Sequence, residues 1–375
     1  MAIYLVVLSI IMILGFCIEI GKANRWEAVF AAGRREIRIS LTGVFWALIF
    51  LTLALFGGLR YNVGTDYESY CTIFTDIAEN WYAARYTGTE RGYVWLNRIV
   101  SIFTDEPQVI IFITNAIITF VGLHCLRKYC RFVPFGLFIF YTTLYYYSFN
   151  LIRQGMAATI IFLAMGYASD GKWKKCIAAV VIAGFFHRTA WQFMLPIVVL
   201  LMFRYKPSVY FICFALAALA TLFRDTVTLQ LIARFYPSML NFEDAYQFEF
   251  SFTQVGLCLI YMILCLMYYK PMLQAKKGNI VYINAAIFTF AMYALLFWFP
   301  MWSRLNLYFI GLFALIVPEA VSCEKDRKMR IFYYAGILAI LLFFYIVPTL
   351  AGGGDWYYAT YFDKLKELAA EKMIP

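Results

Sequence analysis

Charge is scarce in this chain: only 14% of its 375 residues are Asp, Glu, Lys or Arg, and only two are histidine. A water-soluble domain needs a polar surface, so a sequence that is 63% hydrophobic with a mean hydropathy of +0.72 is excluded from that class. Internal repeats, low-complexity tracts and Gly/Ser linkers are missing, which leaves one membrane domain over 1–375 and no second soluble one. The apolar–polar alternation of a transmembrane barrel is missing too. The nine cysteines fall in no CxxC or Cys/His spacing, so neither a metal site nor a cofactor is expected. Met1–Ile20 lacks a basic lead and a small-residue cleavage site, and it reads as a retained span.

What is present is a series of apolar runs near 1–20, 39–59, 107–124, 132–149, 153–170, 176–203, 208–223, 252–270, 279–299, 305–321 and 331–350. Most are close to the ~20 residues a helix needs to cross the hydrocarbon core. The expected fold is all-α, a polytopic integral membrane helical bundle of eleven or twelve transmembrane helices. The run 176–203 is long for one helix and has His187 and Arg188 at its middle, so we read it as a hairpin of short helices with that pair at its tip.

Orientation follows from charge, because Lys and Arg in short loops stay cytoplasmic. In this topology the loops 21–40, 124–131, 171–175, 204–206, 270–277 and 324–330 carry 20 of the 32 Lys/Arg. The opposite segments carry the other 12, against 15 of the 22 Asp/Glu. A single span over 176–203 would invert everything downstream against this bias. The net charge of +10 is thus an outcome of topology and anionic lipid, and no nucleic-acid partner is implied.

Two extracytoplasmic segments exceed turns, 60–106 and 224–251, and loops of such length are usually functional. The first contains LRYNVGTDYESY, a stretch around Trp81–Tyr86, and ERGYVWLNRIV, where Tyr93, Leu96 and Val100 share helical spacing and suggest an interfacial helix. The tail 351–375 opens Gly-rich, and Tyr361–Met373 can form a short amphipathic helix.

On the outer side this topology gathers Arg60, Asp66, Glu90, Arg91, Arg153, Gln154, His187, Arg188 and Arg304. Guanidinium groups bind phosphate through a two-pronged fork at any relevant pH, so Arg60, Arg153, Arg188 and Arg304 are candidate ligands of a diphosphate. Each alone is equally an interfacial anchor or the partner of a nearby acid. Arg153 stands out because it lies in a turn between two apolar runs. His187 can act as a general base near neutral pH or as a structural hydrogen-bonding group. Asp66 is a second candidate base, with Gly64 supplying the turn that presents it. Tyr67, Tyr93 and Trp302, with Glu90 and Gln154, are candidate glycan or acceptor contacts, although aromatic rings at these heights also form an ordinary interfacial belt, as do Tyr145–Tyr147, Trp298, Tyr357, Tyr358 and Tyr361. His124 reads as structural.

In order, RYNVGTDYESY, ERGYVWLNRIV, SFNLIRQGMAATI and AGFFHRTAWQFMLP over about 58–200, with WSRLNLYF further on, resemble the EpsG family of Wzy-like exopolysaccharide and O-antigen repeat-unit polymerases. The positions that match its motifs are Arg60, Asp66, Arg153, Gln154, His187 and Arg188; where the family segment usually has proline after its glutamate, this chain has Arg91. The resemblance implies a glycosyltransferase in the bacterial cytoplasmic membrane, with its active site on the extracytoplasmic side. It would move a growing glycan from undecaprenyl or another polyprenyl diphosphate to a lipid-linked repeat unit. Its expected partners are the polyprenyl-diphosphate-linked oligosaccharide, membrane lipid, a flippase and a chain-length regulator. Within that reading Arg153 joins His187 and Asp66 in catalysis. A flippase for the same lipid-linked oligosaccharide and a membrane O-acyltransferase are the alternatives. The first would carry charges deep in several helices, and the second would need its histidine on the cytoplasmic face.

Overall fold

The computed structural model describes residues 2–24, 26–32, 35–81, 88–235, 250–299, 302–351 and 358–371. Most of the stretch Trp81–Tyr86, half of 224–251, Tyr357, and both the Gly-rich start and the last residues of the tail lie outside the described residues.

The architecture is a helical membrane bundle. In chain order come α1 (Ala2–Asn24), the strands β1 (Glu27–Ala32) and β2 (Arg35–Ser40), α2 (Leu41–Gly58), β3 (Arg60–Tyr61), α3 (Tyr67–Glu79), α4 (Arg91–Ser101), α5 (Pro107–Tyr129), α6 (Val133–Phe140), α7 (Ile152–Ser169) and α8 (Trp173–Phe186). Then follow α9 (Leu195–Leu201), α10 (Pro207–Leu222), α11 (Leu229–Phe235), α12 (Phe252–Met267), α13 (Tyr269–Ala275), α14 (Ile280–Leu295), α15 (Trp302–Ile310), α16 (Phe313–Ser322), α17 (Arg327–Ala351), β4 (Ala359–Thr360) and α18 (Tyr361–Glu371). Among the described residues five helices are long and apolar enough to cross a membrane, and two bent pairs bring the number to seven. Of the remaining expected runs, 153–170 and 331–350 are the continuous helices α7 and α17, 132–149 is α6 continued by a π turn at Tyr141–Tyr145, and 176–203 is split in two.

That split is the hairpin expected around His187. Trp191, in the π turn Ala190–Met194 before α9, donates its indole N–H to the Val181 carbonyl at 2.7 Å and stacks edge-on against Phe185, so the chain folds back upon α8.

Cross-chain bonds sort the loops into two ends. At one end Lys276 pairs with Asp170, Arg131 with Glu319, and Asn279 bonds Ser169 and Glu319. This is the basic end, where 124–131, 171–175, 270–277 and 324–330 meet. At the other end lie Glu90, Arg153, His187 and Arg304. The buried helix between the ends is α7, whose Ala157, Ala158 and Ala164 let neighbours approach closely, as small residues do where lipid gives helices no hydrophobic drive to associate. Asn115 of α5 reaches the Leu53 and Ala54 carbonyls of α2, a polar link of the kind that holds membrane helices in register.

The described parts of the 60–106 segment include two helices, α3 and α4. Helix α4 buries Tyr93, Val94, Asn97 and Val100 against the bundle and leaves Trp95 and Ile99 exposed, which is the amphipathic helix expected there with its inward face shifted from Leu96 to Val94 and Asn97. Two short strand pairs are added to the helices. β1 and β2 form an antiparallel hairpin at the basic end, and β3 pairs with β4, setting Arg60 opposite Thr360 and Tyr61 opposite Ala359. The amphipathic tail helix is α18, and its Lys364 pairs with Glu106.

Candidate functional site

The site is built where the N-terminus of α4, the first turn of α7, the tip after α8 and the first turn of α15 converge. Glu90 immediately precedes α4, and its carboxylate is almost enclosed, with 12% of the side chain exposed. One oxygen pairs with Nη1 of Arg153, and the other accepts the Arg188 backbone N–H at 3.3 Å. The approach depends on Gly92: a Cβ there would lie 2.7 Å from the Phe185 carbonyl oxygen, so a larger residue would push α4 away from the tip.

His187 ends α8. Its Nδ1 lies 2.6 Å from Thr189 Oγ1 and 3.3 Å from the Tyr308 hydroxyl, and Thr189 and Tyr308 share a hydrogen bond of 2.7 Å. Thr189 and Tyr308 are buried, so this polar triangle is rigid on its inner side. Among the described residues nothing bonds the other ring nitrogen, Nε2. Burial pushes the imidazole down to about 4; Glu90 opposes this, while Arg153, Arg304 and Arg188 reinforce it. His187 is therefore neutral at pH 7.

Three arginines thus act on one histidine against a single carboxylate. Arg188 points its side chain to solvent, and Arg153 keeps 29% of its side chain exposed. The Arg304 backbone carbonyl accepts a hydrogen bond from Gln154 Nε2, which ties α15 to α7. Tyr70 of α3 links this group to the LRYNVGTDYESY segment. Its phenol is raised chiefly by burial, drawn down by Arg153 and pushed up by Asp66.

Asp66 stands half-buried at the start of α3, after a turn with Gly64 at φ +99°. The glycine expected to form this turn is required there, since a Cβ would fall 2.4 Å from Asn150 Oδ1. The same Asn150 oxygen accepts the Thr65 N–H at 2.9 Å and pins the turn to the residues preceding α7.

Other expected residues sit elsewhere. Arg60 is 1% exposed; it donates to the Gly57 carbonyl at 2.5 Å and the Phe149 carbonyl at 3.4 Å and stacks over the Phe149 ring. Complete burial pulls its guanidinium below the usual range. It braces the end of α2 and offers no face to a diphosphate. Tyr67, Tyr93, Gln154 and Trp302 are all buried, so none can serve as an open glycan wall. Tyr67 donates to Gln108 at 2.5 Å, Tyr93 packs edge-on against Tyr70, Gln154 is spent on Arg304, and Trp302 packs against Tyr293. The belt reading fails for Tyr145, which is fully buried with its hydroxyl on the Leu53 carbonyl, whereas Tyr147 is exposed.

Thr189 and Tyr308 were not singled out from the sequence. Thr189 follows His187–Arg188 directly and Tyr308 lies in WSRLNLYF, so the motifs contained both, but only the fold sets them against one ring.

A polytopic helical membrane protein with this cluster at one end is the class the fold and site define. The chain belongs to the EpsG family, whose family model matches residues 43–361. Membership supports a polysaccharide-polymerase type of function in general terms. No curated protein and no solved structure matches the chain.

Proposed function

We propose that this protein is a glycosyltransferase that polymerises polysaccharide repeat units, moving a growing glycan from a polyprenyl diphosphate to a lipid-linked repeat unit on the extracytoplasmic face of the bacterial cytoplasmic membrane. The observation that carries the reading is the convergence of Arg153, Arg188 and Arg304 on a neutral His187 at the end opposite the basic loops. Exopolysaccharide or O-antigen units on undecaprenyl diphosphate are the substrate class, with a flippase to deliver them and a regulator to set chain length.

In the transfer, the bond between the sugar's anomeric carbon and the diphosphate oxygen breaks, and a bond from that carbon to an acceptor hydroxyl oxygen forms. Negative charge grows on the departing diphosphate, and fixed positive charge in a partly enclosed site stabilises it most at that moment. Arg188 and the exposed part of Arg153 supply it, with Arg304 beside them. With its proton on Nδ1, donated to Thr189, His187 presents bare Nε2 to take the acceptor's proton. Asp66, reaching the group through Tyr70, is the second candidate base.

The test is extension of purified lipid-linked repeat units by reconstituted protein. Arg153→Ala and His187→Ala should each leave single repeat units unextended while the protein is retained in the membrane. Normal polymer from both variants at normal protein levels would refute the assignment. Repeat units trapped on the cytoplasmic side after loss of the protein would instead favour a flippase, and full-length polymer lacking acyl groups an O-acyltransferase.

A further inference from the structure

At the basic end some cations are neutralised locally: Arg131 meets Glu319, and Lys172 and Lys276 share Asp170. Arg204, Lys206 and Lys270 are exposed and have no acidic partner among the described residues, and what sets them apart from other such cations is their common position. They stand around one cavity of about 930 Å³, within the size range of small-molecule sites, roughly 300–1,000 Å³. The rest of its lining is largely apolar and includes Phe211, Phe214 and Leu266.

The fold makes this cleft and holds it open. Helix α10 buries no residue, so it stands off the bundle with its apolar side chains uncovered. Helix α12 breaks at Tyr268 and turns by 66° into α13, which brings Lys270 and Pro271 over the mouth. The opposite lip is fixed by buried Asn284 of α14. Its amide N–H groups reach the Leu201 and Phe203 carbonyls, and its oxygen accepts the Tyr210 hydroxyl at 2.6 Å. Arg204 directly follows this clamp and lies over the Tyr269 ring at 5.9 Å.

Three unpaired cations at the mouth of an apolar cleft that opens along the flank of a membrane helix match one ligand chemistry: a negatively charged phosphate head with acyl chains. We propose that this cleft binds an anionic diacyl phospholipid from the leaflet on the basic side, with its phosphate against Arg204, Lys206 and Lys270 and its chains between α10 and α12. The site is at the opposite end from Arg153 and His187, so it stands whether or not the polymerase reading does.

Native mass spectrometry of the purified full chain with added phosphatidylglycerol or phosphatidylcholine tests it. A basic residue near an anionic lipid surface favours binding by about fivefold, so Arg204→Gln with Lys206→Gln and Lys270→Gln should lower phosphatidylglycerol retention by about a hundredfold and leave phosphatidylcholine retention unchanged. These side chains are exposed, so their neutralisation leaves the packing intact. Leu266→Trp, at a lining residue 47% exposed, should fill the cleft and displace both lipids. The proposal is overturned if neutralising Lys174, Lys175 and Lys325 on the same side has an equal effect, if the cleft variants change nothing, or if inorganic phosphate displaces the lipid at equal concentration.

Discussion

The carboxylate of Glu90 accepts the backbone N–H of Arg188 at 3.3 Å, across 98 residues of chain. Because its second oxygen pairs with Arg153, one acid fixes both the histidine-bearing tip and the first turn of α7. The sequence reading gave Glu90 a sugar contact; in the fold it is the joint of the site.

That joint separates charge from geometry. Glu90→Gln keeps an acceptor for the Arg188 N–H but removes the counter-charge of Arg153; Glu90→Ala removes both. Removing one partner from so sheltered a pair costs about 3–5 kcal/mol, and the loss should appear as a lower melting temperature in detergent for both variants. Polymer extension should fall further in Glu90→Ala than in Glu90→Gln. Arg153→Lys, which cannot form the two-pronged contact, should retain only a small part of the activity, and Arg153→Ala should lose about 10²–10³-fold. Equal activity of all four would remove Glu90 and Arg153 from the mechanism.

Acid should act on His187 in a definite direction. An unfolded histidine titrates near 6.5 and the folded one near 4, so between these values the folded state binds fewer protons than the unfolded state. The stability that depends on His187 is complete above about pH 6.5 and falls as pH drops toward 4. His187→Asn should flatten a melting-temperature profile measured from pH 4 to 7. The extension rate should have an acidic limb near pH 4 and be level above it, and Tyr308→Phe should move that limb, since the Tyr308 hydroxyl is in the polar triangle with Nδ1. An unmoved limb in Tyr308→Phe would leave that hydroxyl with packing alone.

Gly64 and Gly92 should fail in different ways. Gly64→Ala combines a positive φ with a clash against Asn150, and should destabilise by about 1–3 kcal/mol, read by melting in detergent. Gly92→Ala sits in ordinary helix and clashes with the carbonyl and Cβ of Phe185, so it should cost activity more than stability by moving Glu90 from the tip. The ratio of activity loss to melting shift for the two variants checks this.

Arg60 tests structure against chemistry within a matched motif. Arg60→Met strands the Gly57 and Phe149 carbonyls, at about 1–3 kcal/mol for each unpaired buried group. Folded yield should therefore drop while the rate per folded molecule stays near that of the parent. A folded Arg60→Met protein with no activity would restore Arg60 to the site.

These contrasts show what the sequence carried. Helical spans, the hairpin around His187, the amphipathic α4 and α18, and the gathering of Arg153, His187 and Arg188 at one end all follow from hydropathy, charge bias and spacing, which are local or summed properties. The fate of a particular polar side chain is not local. Arg60 and Arg153 look alike in sequence, each beside an apolar run, yet one turns inward to backbone carbonyls and the other to a carboxylate. Tyr67, Tyr93 and Trp302 are aromatic in either setting, and only packing decides whether a ring is wall or core. Thr189 and Tyr308 meet 119 positions apart, a separation that no pattern along the chain records.

The pairing of β3 with β4 has a consequence for how the molecule is made. Tyr61 and Arg60 obtain their strand partners from Ala359 and Thr360, the Tyr361 N–H closes onto Leu59, and the Tyr358 hydroxyl reaches Phe56 across 302 residues. The first long loop emerges early in synthesis and waits for residues some 302 positions later before its backbone is satisfied. Those residues are a clasp fastened only after α17 has been made, so removing Tyr358–Tyr361 would undo the molecule at Leu59–Tyr61.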